Sequence, residues 1–284
     1  MCRITRIGSR FATEATANGS DGKNFSSGSA AVIPISKSGM PALWRAKEAI
    51  TMCMKQTLLS WSSGKDSAWS LHVIRQQGEY EVVGLLTTFN REANRVAMHG
   101  VRRELVEAQA KAAGVALWDV DLPSPCSNEN YERIMRETCK AAVKFGVEYI
   151  AFGDLFLSDI REYRERQLQN SGLKPIFPVW GIPTGELAHS MIDGGLKAKL
   201  TCVDCKCLSP QFVGREFDEQ LLSDFPREID PCGENGEFHS FVYAGPMFRH
   251  DLQVERGEIV SRDRFVFADL MPAHSKAAVS SPRA

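Results

Sequence analysis

The stretch Thr57-Leu58-Leu59-Ser60-Trp61-Ser62-Ser63-Gly64-Lys65-Asp66-Ser67 decides how this chain folds. The apolar run Thr57–Trp61 reads as a short buried strand. Small polar residues follow it, and then Ala68, Leu71 and Ile74 recur at helical spacing. Small residues let backbone N–H groups come close to a phosphate, and the start of the following helix adds unsatisfied donors and a partial positive charge. The spacing excludes a Walker A loop, because its first glycine would fall on Leu59 and Asp66 stands where its hydroxyl residue belongs. No Gly-x-Gly-x-x-Gly occurs in the chain, so the dinucleotide fingerprint is missing too. A carboxylate beside phosphates, as Asp66 would be, implies an intervening Mg²⁺.

Moving outward, Glu81–Thr87, Val115–Val120 and Glu148–Phe152 read as further strands. Between them lie two helical stripes, one of Val101, Leu105, Ala108 and Ala112, the other of Tyr131, Ile134, Thr138, Ala141 and Phe145. Strands alternating with helices imply an α/β fold with a parallel sheet covered by helices on both faces. Ligands of such sheets gather at the carboxyl ends of the strands, where Ser62–Ser67, Thr87–Asn90 and Gly153-Asp154 would lie. Beyond Ile160 the periodicity weakens. Short runs at Phe238–Tyr243, Leu252–Val254 and Phe265–Phe267, with a helix near Thr184–Ile192, suggest a smaller α+β domain. The expected division is a disordered extension over 1–53, a ligand-binding domain over 54–160, a second domain over 161–270 and a flexible tail over 271–284.

The 34 Lys and Arg against 35 Asp and Glu leave a charge of −1, which excludes the broad cationic field of a non-specific nucleic-acid binder. With 43% hydrophobic and 24% charged residues, the chain is an ordinary globular one rather than a disordered one. No apolar run approaches the ~20 residues that span a bilayer, so the expectation is a cytoplasmic protein without a membrane partner. Among eight cysteines only Cys202, Cys205 and Cys207 cluster. Cys232 or His239 could complete a zinc set with them, but no second Cys-x-x-Cys accompanies the cluster, and free thiols are the expected state. The mixed charges from Arg161 to Arg166 read as pairs within one helix.

Ser-x-Gly-Lys-Asp-Ser after a first strand resembles the PP-loop of the N-type ATP pyrophosphatases, which cleave ATP between its α and β phosphates. Four further blocks narrow the resemblance to the diphthine–ammonia ligase family, bacterial-type members in particular. They are Thr87-Thr88-Phe89-Asn90, Met98-His99-Gly100-Val101-Arg102, Gly153-Asp154 with Asp159-Ile160-Arg161, and Cys232-Gly233-Glu234-Asn235-Gly236-Glu237-Phe238 with Gly245-Pro246. Ser63 departs from the pattern, since many PP-loops have a second glycine there. The resemblance implies a PP-loop domain that takes Mg²⁺·ATP, with Ser62, Ser63, Gly64, Lys65, Asp66, Ser67, Thr88, Asn90 and Gly153 on the nucleotide and Asp66 and Asp154 on the metal. It implies ligase chemistry in which a substrate carboxylate is adenylated, pyrophosphate leaves and ammonia displaces AMP. Lys65 would meet the leaving group, Glu237 would act as general base or ammonium ligand, Glu234 would position it, and His99 would assist. Two alternatives stand beside this: a tRNA-thiolating PP-loop enzyme with Cys202 or Cys205 as sulfur carrier, and a nucleotide sensor that holds ATP without turnover.

Overall fold

A computed structural model of the chain describes residues 54–96 and 100–273. His99, the extension expected over 1–53 and residues 274–284 lie outside them. Strand β1 (Lys55–Ser60) leads into α1 (Lys65–Gln77), β2 (Tyr80–Asn90), a short β3 (Arg95–Val96), α2 (Arg103–Ala113) and β4 (Ala116–Leu122). Next come α3 (Asn128–Lys144), β5 (Tyr149–Ala151), α4 (Ser158–Leu168) and β6 (Lys174–Ile176). The strands stand in the order β4-β2-β1-β5-β6 with every neighbouring pair parallel, while β3 pairs antiparallel with the end of β2.

Alternation along these strands explains the two helical layers. Successive side chains of a strand point to opposite faces. Leu58, Leu86 and Ile150 accordingly enter one apolar cluster with Cys139 and Ala142 of α3 and Leu168 of α4. Their neighbours Leu59, Leu85 and Ala151 enter the other, with Ala68, Leu71 and Ile74 of α1 and Leu105 and Val106 of α2. Both faces bury apolar side chains, as the continuous apolar character of the strands requires.

The second unit comprises α5 (Thr184–Asp193), β7 (Lys197–Asp204), α6 (Glu219–Asp224), β8 (Phe238–Ala244), β9 (Val254–Arg262) and β10 (Phe265–Pro272). Its four strands form an antiparallel sheet in the order β8-β7-β10-β9. Leu200, Phe241, Val242 and Val266 of this sheet belong to the same apolar cluster as α1 and α2, so the second unit packs on the α1/α2 layer of the first. A polar clasp reinforces the contact. Arg95 Nη1 donates to Asp269 Oδ1 at 2.8 Å, and Arg102 donates through Nη2 to Oδ2 at 2.6 Å and through Nε to Oδ1 at 3.1 Å. Burial opposes the charge on Asp269, but the two arginines hold its carboxyl down at about 2.

Three expectations need correction. Sheet membership changes between Ile176 and Lys197 rather than at residue 160: a cut there falls inside α4, and β6 beyond it still bonds to β5. The signal was weak because β6 has only three residues. The tail expected from 271 starts too early, since Met271 and Pro272 pair with Glu255 and Val254 at the end of β10. The strand expected at Leu252–Val254 begins only at Val254 and continues to Arg262. It is a largely exposed edge strand, and its charged residues hide the apolar pattern. Among the described residues, no helix is long and apolar enough to cross a membrane.

Candidate functional site

Strand order reverses between β1 and β5: from β1 the chain goes on to β2 on one side, while β5 lies on the other. In a parallel sheet this switch point opens a crevice beyond the carboxyl ends of the two strands. Ser62–Ser67 follows β1 there, and Gly153-Asp154 follows β5. α1 begins at N-cap Gly64, which supplies no capping side chain, so the positive end of the helix dipole is left for an anion. Ser67 does not cap the helix. Its hydroxyl donates back to Gly64 O at 3.0 Å and meets Ser62 Oγ at 3.2 Å.

The loop is anchored from the second unit. Lys65 N donates to Ser240 Oγ at 3.2 Å, and Val242 N donates to Ser63 O at 3.1 Å, both partners lying on β8. The Lys65 side chain, 3% exposed, turns the same way. Its ammonium donates to both Asp66 oxygens at 2.9 Å and to Cys232 O, and it lies 5.3 Å from the ring centre of Phe238 and 5.7 Å from that of Phe217. Burial opposes the Lys65 charge, yet Asp66 raises its pKa above the ordinary lysine value. Across the sheet, burial and the Lys65 charge push His239 down to about 4, so its imidazole is neutral at pH 7.

Glu234 completes the crevice. Leu155 N donates to its Oε1 at 2.8 Å. Burial, joined by the like charges of Asp66 and Asp154, pushes the Glu234 carboxyl up to about 7. Asp154 is held by Arg164 Nε at 3.3 Å, which is why Arg164 leaves the intrahelical pairing that Arg161–Glu165 and Arg166–Glu162 do form. Two carboxylates that disfavour the charge on a third make a grouping that suits a divalent cation. Among the described residues, however, no group of three His, Cys, Asp or Glu side chains could hold a metal ion. Lys65 takes both oxygens of Asp66 and Arg164 holds Asp154, so a cation at either carboxylate would draw most of its oxygens from phosphates and water.

The structure thus brings Gly64, Lys65, Asp66, Ser67, Gly153, Asp154 and Glu234 together. Glu237 is placed differently. It is 4% exposed, and its Oε1 accepts from Asp230 N at 3.2 Å and Asn235 Nδ2 at 3.0 Å, while Oε2 has no hydrogen-bond partner among the described residues. Thr88 and Asn90 stand at the carboxyl end of β2, beyond the level of Ser60. Asn90 Oδ1 is spent on the following turn, accepting from Glu92 N and Ala93 N at 3.0 and 2.9 Å. Cys202 is buried in β7 with its thiol pushed up to about 12 by burial, whereas Cys205 and Cys207 are exposed.

Two residues at the loop escaped sequence reasoning. Ser240 gave no local signal, since it meets the loop only through packing of the two sheets. Gln109 did give one: it sits four residues after Leu105, on the face of α2 that the apolar stripe marks as buried. A polar residue there needs partners, and it has three.

A parallel sheet with an uncapped, glycine-bearing loop at its switch point defines an α/β protein of the PP-loop class, here joined to an antiparallel C-terminal unit. Family models for the diphthamide synthase N-terminal domain and the diphthamide synthase C-terminal domain match residues 54–175 and 184–271 in that order, and the chain belongs to this family. It is 26% identical over 149 residues to the diphthine–ammonia ligases of Bos taurus and Homo sapiens, covering 50% of this chain and 55% of each relative. The Schizosaccharomyces pombe diphthine–ammonia ligase is 23% identical over 218 residues, 70% of this chain but 36% of that protein. The chain thus spans about half the length of the mammalian relatives it matches.

Proposed function

We propose that the chain is an ATP-dependent, amide-forming ligase that adenylates a carboxylate, releases pyrophosphate and then exchanges AMP for ammonia. The observation that supports it most is the meeting of the two units at the switch point. The β1–α1 loop and Gly153-Asp154 form one wall, and Cys232, Glu234 and Ser240 of the second unit form the other. A nucleotide bound on the first wall would present its α phosphorus to an acceptor held by the second. The relatives are diphthine–ammonia ligases, and in this reading diphthine or a similar molecule supplies the carboxylate and ammonia the nucleophile.

In this reading the α1 N-terminus and the Ser62 hydroxyl bind the β and γ phosphates. Asp66 and Asp154 would hold Mg²⁺, which would supply positive charge against the phosphates. Lys65, now on Asp66, would turn its ammonium to the oxygens of the departing pyrophosphate. Glu234, with its carboxyl near 7, is suited to accept a proton from the attacking nitrogen at neutral pH, and Glu237 fixes the loop that carries it. A sulfur-carrier role suits Cys202 poorly, because a thiol held near 12 is scarcely ionised.

The products test this. With diphthine or another carboxylate and ammonia supplied, α-labelled ATP should give labelled AMP with stoichiometric pyrophosphate. ADP and orthophosphate as the primary products would overturn the proposal, since they report transfer of the γ phosphoryl group.

A further inference from the structure

Ser63 is the loop's anomaly. Its φ is +70°, in the left-handed region that favours glycine, and it is wholly buried. Its Oγ has no hydrogen-bond partner among the described residues, so the side chain does not stabilise the conformation. The carbonyl does. Ser63 O accepts from Val242 N at 3.1 Å and from Gln109 Nε2 at 3.0 Å. The same Gln109 Nε2 donates to Val242 O at 2.6 Å, and Gln109 Oε1 accepts from Trp61 Nε1 at 2.9 Å. One fully buried carboxamide on α2 therefore ties together the residue ahead of the loop, the loop's strained residue and a strand of the second unit.

We infer that Gln109 is a positioning residue for the nucleotide loop: it is the brace that lets a serine stand where the backbone calls for glycine, and it links loop geometry to the seating of β8. The brace acts through Ser63 and touches no reacting atom. A residue that holds Ser63 left-handed matters only while position 63 resists that conformation. Gln109 should consequently be needed with serine there and largely dispensable with glycine. A purely structural role, such as filling the space between α2 and β8, predicts the same loss in both backgrounds.

The test is a double-mutant cycle on the full chain with Gln109→Met, which keeps the volume but removes both donors and the acceptor, and Ser63→Gly. The ATP dissociation constant, measured well below the melting temperature, should rise by about tenfold for Gln109→Met alone but by less than about threefold when Ser63→Gly is already present. This arm rests on the ATP reading of the site. The second arm does not: the urea midpoint of the ligand-free chain should fall with Gln109→Met, and Ser63→Gly should recover about half of that fall or more. If the unsubstituted chain binds no ATP, the nucleotide reading fails while the urea cycle still judges the brace. Equal effects of Gln109→Met in both backgrounds would overturn the inference. Should Gln109→Met fail to fold, Gln109→Asn, which retracts the amide by one methylene, takes its place in the same cycle.

Discussion

Gly153 lies so close to Asp66 that a Cβ on it would stand 2.9 Å from the Asp66 carbonyl carbon and 3.0 Å from Ser67 N. Its own backbone is not left-handed, so the requirement is one of space. Both atoms belong to the first turn of α1 and cannot swing aside as a side-chain tip would. Gly153→Ala should therefore push β5 away from α1, destabilising the chain by about 1–3 kcal/mol, the usual cost of overpacking. Because the displaced turn is the proposed phosphate site, ATP affinity should drop further than stability. Thermal melting and calorimetric titration of ATP check the two together, and a variant with unchanged affinity would place the phosphates elsewhere.

Glu234 makes stability depend on pH in an unusual sense. Its carboxyl rises from an ordinary 4.5 to about 7 on folding, through burial first and the charges of Asp66 and Asp154 next. Between those values the folded chain binds a proton that the unfolded chain has released, so stability falls as pH rises through the window and the loss is complete above about 7. The swing is at most on the order of 3 kcal/mol. Glu234→Gln keeps the acceptor for Leu155 N–H and removes the titration. Its melting temperature should change less than the parent's from about pH 5 to 8 and exceed it at the upper end. A parallel pair of profiles would show that another group titrates.

The first unit was legible because each strand of a doubly covered sheet is apolar on both faces. Leu58 and Leu59 serve opposite layers, and a run of that kind announces itself. The loop was legible for a related reason: its small residues are confined between that run and a helical stripe. β7 was not found, although it is a central strand of the second sheet, because Lys197, Lys199 and Thr201 interrupt its apolar positions and the partners that bury it lie far along the chain. The same distance concealed the direction of Lys65. Nothing near residue 65 foretells a bond to Cys232 O or a seat between Phe217 and Phe238. The block around Glu234 and Glu237 was singled out, with Glu237 expected as the base and Glu234 as the residue that positions it, but their surroundings were not legible. The structure gives the two carboxylates different partners, Leu155 N–H for Glu234 and Asp230 N–H for Glu237.

That divergence frames the last prediction. Glu237 Oε1 already serves Asp230 N and Asn235 Nδ2, and Oε2 is buried without a partner among the described residues, so the side chain braces the Asp230–Glu237 turn and keeps one oxygen in reserve. Glu237→Gln retains the Oε1 acceptor, so the turn should hold and ATP affinity should stay within about threefold of the parent. Glu237→Ala leaves two donors unpaired and should destabilise the chain by about 1–3 kcal/mol. Turnover separates bracing from chemistry. If Oε2 receives a proton or holds ammonium during the reaction, Glu237→Gln should lower AMP formation by about 10²-fold at saturating ATP, while the melting temperature barely moves. If Glu237 only braces, the glutamine variant should turn over nearly as the parent does and the alanine variant alone should fail. Rates and melting curves of the two variants, taken side by side with Glu234→Gln, assign the base to one carboxylate: the group whose amide form is folded, binds ATP and yet does not make AMP.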